Sequence, residues 1–167
     1  MIVYHGSTIE IKRPAIIKSE MGRDFGFAFY TTDIQDQAER WAIRRAKIAS
    51  KKENKFVPAL VNMYEWNPQN ELNKLKEKHF DGASMEWLDF VAKCRSTIHF
   101  VHGFDIVSGK IANDTVGETI SYVVRGIMRK EDALERLRFE KINNQIAFCT
   151  NDALKELNFI KSYIVRI

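Results

Sequence analysis

Ile2, Val3 and Tyr4 make a short β-favouring run that Gly6 to Thr8 stops, which predicts a strand over Met1 to His5 with His5 at its end. From Glu10 to Phe29, Pro14, Gly22 and Gly26 lie among charges without a sustained period, so a loop is expected, closing on an aromatic strand at Phe27 to Thr31. From Asp33 the period becomes helical: Ala38, Trp41, Ala42, Ala46 and Ala49 fall on one stripe, with Arg40, Arg44, Lys47 and Lys51 away from it. A strand over Phe56 to Trp66 follows, ended by Asn67 and Pro68. Next come a short charged helix or turn over Glu71 to Lys78 and a helix over Ser84 to Arg95 with Ser84 as its N-cap.

Phe104 to Ile111 reads as a strand, Thr115 to Val124 and Lys130 to Leu137 as a helical pair parted by Gly126, and Gln145 to Cys149 as a short strand. Thr150 or Asn151 caps a short helix through Leu157, and Lys161 to Ile167 alternates as a closing strand. This order has no regular β-α-β run, so an α+β fold is predicted rather than a doubly wound sheet. A length of 167 residues suits a single domain, 1–167, and 45% hydrophobic residues suffice for one core, excluding a disordered, collagen-like or coiled-coil chain. The net charge of +4 favours an anionic partner: nucleotide, nucleic acid or acidic protein.

Cys94 and Cys149 show no C-x-x-C spacing, so neither a disulfide framework nor a zinc ribbon is expected, and a reducing cytoplasm fits. The start MIVYHGST is unlike a secretory signal, and no run reaches the ~18 apolar residues of a spanning helix, so no membrane association is expected. Of His5, His79, His99 and His102, the last two have H-x-x-H spacing, but without a third ligand nearby they read as surface polar residues, and no metal site is expected. Cys94 sits on the Trp87 face of its helix as a core thiol. P-loop, dinucleotide-fold, zincin and hydrolase-elbow motifs are missing.

Tyr4-His5-Gly6-Ser7 at a strand end, then Asp24 to Thr32, then Gln37-Ala38 and Trp41 resemble the front of the NAD pocket in ADP-ribosyltransferases of the poly(ADP-ribose) polymerase type. Across nearly the whole chain, the blocks Tyr4 to Ser7, Asp24 to Thr31, Gln37 to Ala42, Glu86 to Phe90, Asp105 to Asp114 and Gln145 to Leu154 resemble, in that order, the bacterial domain-of-unknown-function family 3990, with a transferase-like fold. The resemblance implies a mixed and antiparallel split sheet with flanking helices. It also implies NAD as donor substrate, held by His5, Gly6, Ser7, Phe29, Tyr30, Ala38 and Trp41, with His5, Tyr30 and Gln145 as catalytic positions.

In that frame Gly6 offers backbone groups to the nicotinamide carboxamide, and its missing side chain permits close approach. His5 bonds an adenosine ribose hydroxyl, Tyr30 lines the nicotinamide ribose, and Trp41 stands against the nicotinamide ring. Breaking the nicotinamide–ribose bond develops an oxocarbenium ion, which the protein must stabilise. Where polymerase-type enzymes carry Glu, this chain has Gln145, so mono-ADP-ribosyl transfer is expected rather than chain elongation, with Asp105, Asp114 and Glu140 as alternative sources of negative charge. A protein or nucleic-acid acceptor is then required, and toxin, defence or regulatory use all fit, an antitoxin being the partner in the first case. Packing alone would also explain Tyr30 and Trp41. Two other classes stay open: a transferase-like fold that binds a nucleotide, nucleic acid or protein without catalysis, and a nucleic-acid module using Arg40, Arg44, Arg45, Lys47, Lys51, Lys52 and Lys55.

Overall fold

The computed structural model describes residues 1–18, 23–68, 74–97, 100–111, 114–137 and 143–166. In chain order they form β1 (Ile2–Ser7), β2 (Phe29–Thr31), α1 (Gln35–Glu53), β3 (Leu60–Glu65), β4 (Glu77–Phe80), α2 (Met85–Ser96), β5 (Ile106–Ile111), α3 (Asp114–Val124), α4 (Lys130–Leu137), β6 (Asn143–Phe148), α5 (Asn151–Leu154) and β7 (Asn158–Ile164). The fold is mixed α+β, as the segment order predicts. One sheet is antiparallel in the order β1-β3-β7, and the other runs β2-β6-β5-β4 with only the β4–β5 pair parallel.

Strand alternation sorts side chains into three apolar layers. Val3, Phe29, Tyr64, Ile106, Ile146 and Phe148 fill the space joining the two sheets. On the opposite face of the four-stranded sheet, Tyr30, Phe80, Val107 and Ala147 meet Trp87, Leu88 and Val91 of α2, Ile120 of α3 and Ala133 and Leu137 of α4. On the outer face of the three-stranded sheet, Ala38, Ala42 and Ala46 of α1 pack against Ala59, Val61 and Val165. This alanine stripe lets α1 lie very close to β1. A Cβ on Gly6 would stand 2.3 Å from the Ala38 carbonyl oxygen and 2.7 Å from the Ala42 nitrogen, so only glycine fits there.

Caps follow the residue types. Ser84 accepts from the Trp87 amide and Thr150 from the Ala153 amide, while α1 ends on Asn54 in the left-handed conformation. Several boundaries differ from the sequence expectation: β3 starts at Leu60 rather than Phe56, and α5 ends at Leu154 rather than Leu157. Glu77–Phe80, whose first two residues are expected from the sequence to end a charged helix or turn over Glu71 to Lys78, is a strand: Phe80 alone is buried, and the backbone is held by parallel pairing to β5. β1 runs on through Gly6 and Ser7, because Gly6 is what lets the strand pass beneath α1. β7 starts at Asn158, three residues early, in register with Glu65.

Candidate functional site

The two sheets touch where β1 and β2 exchange a pair of backbone bonds, Tyr4 N–H to the Thr32 carbonyl at 2.8 Å and Thr32 N–H to the Tyr4 carbonyl at 2.9 Å. One residue further along β1 the strands part, and the His5 ring fills the gap, its Nδ1–H donating to the Tyr30 carbonyl at 2.6 Å. Backbone groups point to alternate edges of a strand. Since Tyr4 turns its amide and carbonyl toward β2, Gly6 presents its own N–H and C=O at the same edge, where β2 no longer runs alongside.

A cleft of about 190 Å³ opens at this split, lined by His5, Gly6, Ile17, Arg23, Tyr30, Trp41, Arg44, Arg45 and Gln145. Five of the residues singled out in the sequence therefore converge: His5, Gly6, Tyr30, Trp41 and Gln145. The other three stand behind them. Phe29, on the opposite face of β2 from Tyr30, stacks under the His5 ring with centroids 4.3 Å apart. Ala38 packs over Gly6, and the Ser7 hydroxyl accepts from the Ile9 amide at 3.3 Å. The space beside the Gly6 Cα is occupied by α1, so the absent side chain serves helix packing while the edge N–H and C=O face the cleft.

His5 is 4% exposed. Burial, together with the charges of Arg45 and Arg23, outweighs its bond to the Tyr30 carbonyl and lowers its pKa to about 4, so the ring is neutral near pH 7. With the proton fixed on Nδ1 by a partner that only accepts, Nε2 carries a lone pair. That atom is buried and has no hydrogen-bond partner among the described residues. The Tyr30 hydroxyl donates to the Gly26 carbonyl and accepts from the Phe25 amide, and burial above all, then the Asp24 charge, pushes its pKa well up. Tyr30 thus offers the cleft its ring face, with the Arg23 guanidinium 5.7 Å from the centroid. Trp41 is half-buried, packing against the helical core with one edge and lining the cleft.

Gln145 is placed by a neighbour that sequence reasoning took only as part of a motif. The fully buried Gln37 donates through Nε2 to the Asn144 carbonyl at 2.8 Å and accepts from the Asn144 amide at 3.2 Å. Asn144 Nδ2 also donates to Asp33 at 2.8 Å, so the first turn of α1 fixes the start of β6. Arg23, which sits in a stretch read as loop, was missed altogether, while Arg44 and Arg45 were read only as members of a basic nucleic-acid-binding face and not as part of this cleft. No periodicity distinguishes these residues before the fold brings them together.

The remaining candidates have other work. Asp105 accepts from Thr150 at 2.7 Å and from the Lys76 amide at 2.8 Å, holding the start of β5. Glu140, His99 and the side chain of Asp114 lie outside the described residues. His102 bonds the Phe25 carbonyl and the Phe104 amide, and His79 meets Ser108 and Asp81. No cluster of three metal-binding side chains occurs among the described residues. Cys94 is buried and its thiol pKa is pushed up to about 12 by burial first, then by Asp24. Among the described residues no helix is long and apolar enough to cross a membrane.

No curated protein and no solved structure matches the chain. A family model does, over residues 1–159, which takes in every residue of the cleft and all the motif blocks read from the sequence. The chain belongs to the family described as "Protein of unknown function (DUF3990)".

Proposed function

We propose that the cleft binds NAD and that the chain transfers its ADP-ribosyl group to a protein or nucleic-acid acceptor. The observation that carries this is convergence: His5 from β1, Tyr30 from β2, Trp41 from α1 and Gln145 from β6 line one cleft beside the open edge of Gly6. Each group suits a part of the donor. The Tyr30 and Trp41 rings suit the flat nicotinamide, the Gly6 N–H and C=O complement its carboxamide, and Nε2 of His5 is an acceptor in need of a hydroxyl, which a ribose supplies. At about 190 Å³ the cleft is smaller than the ~300 Å³ at which whole-ligand pockets begin, so it suits one ring and its sugar, with the rest of NAD across the open mouth.

Transfer breaks the bond between ribose C1′ and the nicotinamide nitrogen, which keeps the electron pair. A new bond forms from C1′ to an acceptor oxygen or nitrogen, whose proton passes to solvent. The Gln145 amide bonds a ribose hydroxyl and orients the sugar, without adding charge. None of the described residues lining the cleft is acidic, in keeping with a single transfer rather than chain growth. Used as a toxin, such an enzyme would require a neutralising antitoxin in the cell that makes it.

The test is mass spectrometry of labelled NAD incubated with the pure chain and a lysate of proteins and nucleic acids. Free nicotinamide together with a mass gain on one class of acceptor is expected, both lost in His5→Ala. NAD binding without nicotinamide release, unchanged by Gln145→Glu, would make the chain a non-catalytic binder; no NAD binding at all would overturn the proposal.

A further inference from the structure

The nicotinamide end of the proposed ligand leaves four cleft residues unused, Ile17 and three arginines: Arg23, Arg44 and Arg45. Arg23 comes from the segment before β2 and the other two from the middle of α1, so the arrangement is made by the fold and not by a run of basic sequence. Ion pairs elsewhere among the described residues engage Lys12, Lys55, Lys78, Arg95, Arg129, Lys130 and Lys155, but neither Arg23 nor Arg45. Arg45 is held below the usual arginine range by partial desolvation and by the charge of Arg23. Two cations that repel each other at the mouth of a cleft without a described carboxylate await an anion. Beside them lies a second unmet demand of opposite kind, the buried Nε2 acceptor of His5.

A ligand that answers both must carry a hydroxyl donor a short distance from negative charge. From this pairing we infer that Arg23 and Arg45, with Arg44 beside them, form a diphosphate site, and that the cleft takes a sugar attached to a nucleoside diphosphate. The guanidinium fork matches phosphate oxygens in pairs, and two forks from different elements span two linked phosphates better than one. The inference rests on the proposed NAD reading for the identity of the sugar end, while the phosphate site itself does not depend on catalysis.

Calorimetry on the full chain tests it with ADP-ribose, inorganic pyrophosphate and nicotinamide as separate probes. Arg23→Ala and Arg45→Ala are each expected to weaken ADP-ribose and pyrophosphate roughly tenfold or more, the loss of one charge-assisted contact. Nicotinamide should lose far less affinity than ADP-ribose or pyrophosphate in Arg45→Ala, whose side chain stands on α1 and not on the Tyr30 ring. Arg45→Lys should recover only part of the affinity, because it keeps the charge and loses the fork. Lys52→Ala, an exposed charge further along α1, should change nothing, which separates a built site from a general field. Thermal melts confirm that each variant is folded. Undiminished ADP-ribose affinity in both arginine variants would overturn the inference, as would a short RNA that binds while ADP-ribose and pyrophosphate do not. Arginine-dependent ADP-ribose binding without any turnover of NAD would uphold the diphosphate site while sinking the transferase proposal.

Discussion

Two arginine environments stand close to Tyr30, and they obey opposite rules. Arg95 of α2 reaches Asp24, with Nε 2.6 Å from the same carboxylate oxygen that accepts from its other nitrogen, and it also bonds the Gly117 carbonyl at 3.4 Å. Asp24 is buried, so the pair forms one closed unit tying the segment before β2 to α2 and α3. One residue before Asp24, Arg23 turns the other way, onto the Tyr30 ring and toward Arg45, with no carboxylate partner among the described residues. A chain that closes a charge pair so completely at Asp24 is capable of doing so at Arg23. Among the described residues, the cleft leaves the second pair of cations open. The same contrast recurs in the amides, where Gln37 is closed on the Asn144 backbone and Gln145 faces the cleft.

Removing the closed partner should give the largest effect. Arg95→Leu takes the guanidinium away from a buried carboxylate, which costs roughly 3–5 kcal/mol. For a domain of this size that is a fall in Tm of about 10 °C in a thermal melt. A loss under about 1 kcal/mol would mean that Asp24 finds water or another donor, and the comparison would lose its closed side. Asp24→Asn with Arg95→Leu should restore part of the stability, because no buried charge is then left without its guanidinium.

Next in size is the acid response of His5. Its pKa is about 4 folded against an ordinary 6.5, so the unfolded chain binds the proton more readily through that window. The stabilisation is complete above pH 6.5 and is lost as pH falls toward 4, on the order of 3 kcal/mol in all. Denaturant unfolding at pH 7 and at pH 4.5 should show the fall in the parent chain and a flatter profile in His5→Phe, which keeps a ring against Phe29. Equal slopes would place the acid sensitivity elsewhere. A ligand hydroxyl donating to Nε2 requires the neutral ring, so ligand binding should extend the loss to lower pH.

The amide pair gives the third contrast. Gln37→Leu unpairs both backbone groups of Asn144 and should lower stability by about 2 kcal/mol, whereas Gln145→Leu should stay within about 0.5 kcal/mol. If the two leucine variants melt together, Gln145 is as structural as Gln37 and its place in the cleft carries no functional weight.

What the sequence disclosed and what it withheld divide along similar lines. The alanine stripe of α1, the Ser84 and Thr150 caps and the β-rich runs at β1 and β6 are local signals, written in residues near one another, and the structure keeps them. His5, Gly6, Tyr30, Trp41 and Gln145 were legible because they fall in ordered motif blocks. β4 was not: Glu77, Lys78 and His79 carry little apolar content, and the strand exists because β5 offers a parallel edge. Arg23 and Arg45 were hidden for a deeper reason. Nothing in a single arginine distinguishes a solvated side chain from one set opposite another arginine, since that depends on which carboxylates the fold brings near. Gly6 was legible as a glycine but not in its use, because the approach of Ala38 and Ala42 is a tertiary fact.

The smallest effect expected is on the open side of the comparison, and its smallness is what matters. Arg45→Ala removes an exposed side chain that repels Arg23 and replaces it, in the middle of α1, by the best helix former. Lost contacts of its aliphatic stem work against these gains, so the net change in stability should lie within about 0.5 kcal/mol of zero. The same substitution withdraws one of the two charges that depress His5, so the loss of stability between pH 6.5 and 4 should become slightly shallower. Urea titrations of Arg45→Ala beside Arg95→Leu, at both pH values, measure all of this in one set. Should Arg45→Ala destabilise the fold as Arg95→Leu does, Arg45 has a structural partner and the two environments are alike. A neutral Arg45 in a chain that cannot spare Arg95 leaves ligand binding as the reason for a second arginine held against a first.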